Sequence, residues 1–156
     1  MTGTEIALLV AIIVLLLILV VLAAAETSLN RISRVKAQAM ADSSKSRSGR
    51  ALIELVEHPQ RFINPLLVTV TVLQSAQSFL AARLADQLFG GWWIGVLIVF
   101  VINVVLFFVV AESMPKTWAV LQTERAALMT APFTRFLVSF PPRRLVSRGL
   151  IGLTNV

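Results

Sequence analysis

The 156-residue sequence contains no cysteine, a single histidine and few charges of either sign. Without cysteine there can be no disulfides and no thiolate metal sites. With His58 alone, no metal centre can draw on two imidazoles, and no Gly-rich phosphate loop is present. No enzyme signature stands out, so catalysis is not expected. Charged residues make up 14% of the chain, against about a quarter in soluble domains, while apolar residues reach 57%.

Those apolar residues are gathered into runs. Ile6 to Ala25, Phe62 to Ala82 and Gln87 to Ala111 contain no Asp, Glu, Lys or Arg. Roughly 20 helical residues cross the ~30 Å hydrocarbon layer, so each run is long enough to span it. A helix satisfies its own backbone in lipid, whereas the ~10-residue alternating segments of a β-barrel are missing. The expected fold is an all-α membrane protein with three transmembrane helices plus a belt of juxtamembrane amphipathic helices. Ala23-Ala24-Ala25 imitates a signal-peptide cleavage site. No Lys or Arg precedes the run, however, and its length exceeds the roughly 7–15 residues of an h-region, so it is read as a retained span.

The formal net charge of +6 is unevenly spread. Arg31, Arg34, Lys36, Lys45, Arg47, Arg50 and Arg61 lie between the first two runs. Lys116, Arg125, Arg135, Arg143, Arg144 and Arg148 follow the third, and Arg83 stands apart from both groups. This is the signature of positive-inside topology, with the amino terminus outside and the carboxyl end cytosolic. A lipid bilayer is therefore the expected partner, and nucleic acid is not.

Residues 1–131 read as a three-span domain with cytosolic juxtamembrane helices at 27–58. Within it, Thr27 to Asp42 is expected to be an amphipathic helix beginning where span one ends at Glu26. Ser43 to Gly49 reads as a polar loop and Arg50 to Glu57 as a short helix before His58-Pro59. Gly90-Gly91 marks the turn between spans two and three, with Trp92 and Trp93 in an outer aromatic belt. Residues 132–156 read as interfacial helices. Phe133, Phe136, Leu137 and Phe140 precede Pro141-Pro142, and Leu145, Val146, Leu150 and Leu153 alternate with arginines. The end at Asn155-Val156 has no polar tail and is read as a cut inside a helix, with a cytosolic module expected beyond it.

Ionisable residues bordering a span are candidate functional residues because they cost ~2.5–3.5 kcal/mol at mid-bilayer. Glu112 leads. It follows 25 uncharged residues and stands three before Pro115, whose missing N–H frees the Ala111 carbonyl and should kink the helix. A carboxylate beside a freed carbonyl suits a hard cation; the alternative is a local Glu112–Lys116 pair at i,i+4. Thr71, Gln74, Ser75 and Ser78 form a polar stripe on span two, able to supply oxygens to that cation or to hydrogen-bond a neighbouring span. Glu26 is the second acidic candidate, or else serves the start of the next helix. Asn103 lies nine residues before Glu112, about half a turn from its face on a straight helix, and is expected in an interhelical or dimer contact. His58 is read as a loop residue.

Ala24-Ala25-Glu26-Thr27-Ser28-Leu29, the basic helical segment after it, and Ala111-Glu112-Ser113-Met114-Pro115-Lys116 resemble the transmembrane domain of the CNNM/CorC magnesium transporter family. The resemblance runs through nearly the whole chain in order and spacing, and Glu-x-x-Pro-Lys is its most specific element. It implies a homodimer exporting Mg²⁺, with Na⁺ as the coupling ion, in a bacterial plasma membrane. ATP would enter only through a CBS-domain pair that usually follows this domain in the family. It also implies that Glu112 coordinates dehydrated Mg²⁺, that two asparagines of span two correspond to Val70 and Gln74, and that a serine of span one falls within Ala23-Ala24-Ala25. Val70 cannot coordinate, Gln74 carries its amide on a longer arm, and no hydroxyl precedes Glu26. Thr71 is the expected substitute, by a small rotation of the helix. The expected metal residues are thus Glu112, Gln74, Thr71, Ser75 and Glu26, with Pro115 and Lys116 shaping the kink. The alternative function is a non-transporting scaffold or regulator that has lost the ion site and binds a protein partner at its cytosolic surface.

Overall fold

The computed structural model describes residues 2–44 and 46–139. Every regular element among them is helical: α1 (Gly3–Arg31), α2 (Arg34–Ser44), α3 (Arg47–Glu57), α4 (Pro59–Phe89), α5 (Trp93–Phe107), a π-helical segment (Phe108–Ser113), α6 (Met114–Leu121) and α7 (Thr123–Ser139). α1, α4 and the continuous run from α5 through α6 are the three helices long and apolar enough to cross a bilayer. Large apolar side chains on their outer faces, among them Val10, Val72, Phe100 and Val105, are exposed. In water that would be a costly surface; against lipid it is the proper one. The chain is an integral membrane protein in contact with the bilayer.

α1 is the centre. It packs against α4, α6 and α7, while α3 packs on α7 and α4 on α5. Its sequence explains why so many helices can approach. Ala23, Ala24 and Ala25 are buried, and Ala24 meets Ala119 of α6 and Ala126 of α7 with Trp118 beside them. Small side chains let helix backbones come close and gain dispersion contacts, which matter where lipid removes the hydrophobic drive. The main core lies where α1 ends: Leu22, Ile32, Leu52, Leu55, Phe62, Leu66, Ala127 and Ala131 enclose one cluster.

The basic segments meet at that same end. Lys36 of α2 pairs with Glu124 of α7, and Arg135 of α7 donates to Glu54 of α3 at 2.9 Å. At the opposite end Gly90 (φ 56°) and Gly91 (φ 81°) make the α4–α5 turn, left-handed conformations that other residues rarely adopt.

Two boundaries differ from the sequence expectation. α1 does not stop at Glu26 but runs on to Arg31. Packing of its last turns against α4 and α7 carries it past the Glu-Thr-Ser sequence, and buried Ser28 spends its hydroxyl on the Ala25 carbonyl. The break falls at extended Ile32, and Ser33 accepts the Lys36 N–H as the start of α2. Most of Ser43 to Gly49 is helical, because Ser46 accepts the Gly49 N–H and caps α3. Residues 131 and 132 lie together inside α7, where buried Ala131 and Thr134 face neighbouring helices and Pro132 is carried on the exposed side. Phe140 and the arginine-rich segment to Val156 lie outside the described residues.

The alanine seam sets a steric test. Ala24→Leu inserts three carbons where Ala119 and Ala126 are fully buried, and should cost about 1–3 kcal/mol. Val105→Leu, on the lipid-facing surface, should leave the thermal midpoint in detergent unchanged. Equal midpoints for the two variants would show that the seam is not tightly packed.

Candidate cation site

Where the third span nears the basic end, its backbone changes pitch. Met114 donates its N–H to Val109, five residues back, so Phe108–Ser113 is a π turn. Pro115 accounts for its position. It has no N–H to give, and with Met114 committed to Val109 the Val110 carbonyl has no N–H to accept in either the α or the π ladder. The break expected at Ala111 is thus absorbed one residue earlier, as a widened turn. Pro115 itself is buried at the start of α6.

A π turn holds one extra residue, a phase slip of about 100°. Asn103 and Glu112 are therefore not on opposite faces, as a straight helix would have them. Both meet α4. Asn103 accepts a hydrogen bond from the Gln77 amide at 2.9 Å, and Glu112 shares a cavity with Val70 and Gln74.

That cavity, about 40 Å³, is walled by all three spans: Leu19, Ala23 and Glu26 from α1, Val70 and Gln74 from α4, and Phe107, Ala111, Glu112 and Lys116 from the third. Its oxygen-bearing side chains are two carboxylates and one amide. Helical rise puts Glu26 about 30 Å along α1 from Ile6, and Glu112 a similar distance from Trp93, so both stand at the edge of the hydrocarbon layer. Lys116 Nζ donates to Glu112 Oε1 at 3.1 Å, and both side chains remain roughly two-fifths exposed. An exposed i,i+4 pair of this kind is worth only about 0.3–0.5 kcal/mol.

The arrangement brings Glu112, Gln74 and Glu26 together and leaves Thr71 and Ser75 out. Their hydroxyls donate to the carbonyls of Leu67 and Thr71, 3.0 and 2.9 Å away on their own helix, and both residues are exposed. Backbone bonding of this kind removes the need for a protein or water partner, so the stripe does not turn inward as a unit. Ser78 faces a groove beside Asn103 and Trp93 instead. Glu26 caps no helix, since α1 continues past it.

Sequence reasoning missed Gln77, which is 1% exposed and whose Oε1 has no partner among the described residues. Its i,i+4 spacing from Ala81 and its distance of three from Gln74 were the available signal. The apolar walls Leu19 and Phe107 carried none.

The chain matches the family model of the cyclin M transmembrane N-terminal domain over residues 10–148. It belongs to the CNNM family. The CNNM/CorC family is associated with Mg²⁺ transport. No curated protein matches this chain. In this CNNM domain the two positions that resemblance assigned to non-coordinating side chains, Val70 and the Ala23-Ala24-Ala25 stretch, do border the cavity, through Val70 and Ala23. Among the described residues no three His, Cys, Asp or Glu side chains cluster.

The Gln77–Asn103 amide pair gives a second test. Asn103→Leu leaves the Gln77 amide without its partner in an apolar seam and should cost about 1 kcal/mol. Adding Gln77→Leu should return most of that loss. Additive losses in the unfolding midpoints would show that the two amides are not coupled.

Proposed function

We propose that this protein is a membrane transporter of Mg²⁺, working as a homodimer that exports the ion in exchange for Na⁺. What supports the reading is one observation: Glu26, Gln74 and Glu112, from three different spans, border a single cavity in a CNNM domain. Three oxygen-bearing side chains leave half of an octahedral Mg²⁺ shell to water or backbone carbonyls. The cavity holds only a few water-sized bodies, far short of the six waters of a hydrated ion. Mg²⁺ would therefore enter with part of its shell removed, and the carboxylates offset that cost. Thr71 is not needed as a ligand in this scheme. The activity is transport and not catalysis, and ATP would act only through a CBS pair attached to the cytosolic side.

The test is thermal unfolding of the detergent-purified protein across a Mg²⁺ titration, with Ca²⁺ and Na⁺ alongside. An ion that binds only the folded state stabilises it by about 2.7 kcal/mol at a hundred times its Kd. Saturable protection is expected for the native protein and none for Glu112→Gln, which keeps the side-chain shape. Absence of protection in the native protein would remove the transporter reading and favour a scaffold that binds a protein partner.

Orientation is tested separately, and the cysteine-free chain makes this simple. Gln87→Cys in intact cells should react with a membrane-impermeant maleimide, while Arg47→Cys should react only after lysis. The reverse pattern would invert the proposed topology.

A further inference from the structure

We propose that Lys116 is the built-in counter-ion of this site: an ammonium that holds Glu112 when no metal is bound and must leave before a divalent cation can enter. The proposal rests on the transporter reading above and assigns a specificity-determining role to Lys116.

Lys116 is the only basic residue among the side chains that wall the cavity, and Glu26 and Glu112 are the only acidic ones. With the ammonium in place the three groups sum to one negative charge; with it withdrawn they sum to two. The first state balances a single positive charge and the second balances a dication. A cation bound by Glu112 would meet the ammonium within one side-chain length, because Nζ already lies 3.1 Å from Oε1. Repulsion between them grows with the product of their charges, so the lysine penalises a dication twice as much, in free energy, as a monovalent ion at the same point.

Departure is feasible because the arm is not locked. Glu112 is the only acceptor of the Lys116 ammonium among the described residues, and two-fifths of the lysine side chain is exposed. Its four-carbon stem lets the charge swing toward water while the apolar part stays against the helix. Space points the same way. Withdrawal of the ammonium would also widen a cavity that now holds only a few water-sized bodies. The pair also explains how the site stays electrostatically tolerable between transport events: Glu112, at the edge of the lipid, rests against an ammonium while no metal is bound.

A purely local helix pair predicts something different. Removing it should lower the midpoint slightly and leave every ion's half-saturating concentration where it was. The experiment is therefore the thermal titration of Lys116→Met, which removes the charge without adding an oxygen ligand, beside the native protein. Lys36→Gln, which breaks the distant pair with Glu124, is the control. The half-point for Mg²⁺ should fall about five- to tenfold in Lys116→Met, and that for Na⁺ by a smaller factor. Lys116→Arg keeps the charge and can grip Glu112 with two N–H groups, so its Mg²⁺ half-point should rise. That variant decides the matter alone if the methionine protein does not fold.

Protection in the native protein with an unchanged or higher half-point in Lys116→Met would overturn the role given to the lysine and leave the transporter reading intact. Protection that emerges only in Lys116→Met would overturn the transporter reading for the native protein and leave the lysine as the group that blocks the site. No protection in either protein overturns both readings together.

Discussion

Close approach to α1 is the constraint on which the remaining structure depends. In lipid, helices gain little from hiding apolar surface and must gain from contact instead, and contact at backbone range requires small side chains. The alanines at 23–25, 119, 126 and 127 provide it. Because α1 can be approached from several sides, α4, α6 and α7 surround its inner half, and Glu26 ends up facing the other two spans rather than lipid. A bulkier α1 would hold those spans apart and leave each carboxylate with its own water. The site is thus a by-product of packing before it is a property of any one residue.

The second constraint is the proline after Glu112. A missing N–H in a lipid environment is expensive wherever it falls, and the chain spreads the deficit over a wider turn. This sets the direction of Glu112. On an unbroken helix a residue nine places from Asn103 would face away from α4; with the extra residue Asn103 bonds Gln77 of α4 and Glu112 borders a cavity that α4 also lines. Backbone chemistry at 115 therefore decides side-chain geometry at 112.

Much of this was legible in the sequence, for physical reasons. Runs of twenty or more uncharged residues have few alternatives to a spanning helix, and the lysines and arginines sort the connections into two classes. Glu26 and Glu112 declared themselves as charges at the ends of such runs. The rest was not legible because it depends on what is nearby. Thr71 and Ser75 look like ligands on a helical wheel, but a hydroxyl can return to its own helix at no cost to packing. Glu26-Thr27-Ser28 looks like a helix start, and tertiary contacts extend α1 through it. Proline announces a defect without saying whether a kink or a π turn will absorb it. The relation of Val70 and Ala23 to the cavity carried no chemical signal and came only through family resemblance.

The two-residue turn at Gly90-Gly91 has a consequence for how the protein is made. α4 is the least apolar of the three spans, with Gln74, Gln77 and, near its end, Arg83 and Asp86. Such a segment partitions poorly into a bilayer alone. The strongly apolar α5 begins four residues after α4 ends, too close for one to enter while the other waits in water. Synthesis must therefore deliver them as a helical hairpin, with α5 supplying the insertion energy that α4 lacks and the Gln77–Asn103 amide pair closing as they enter. Lengthening that turn would separate the two steps and strand α4 at the membrane surface.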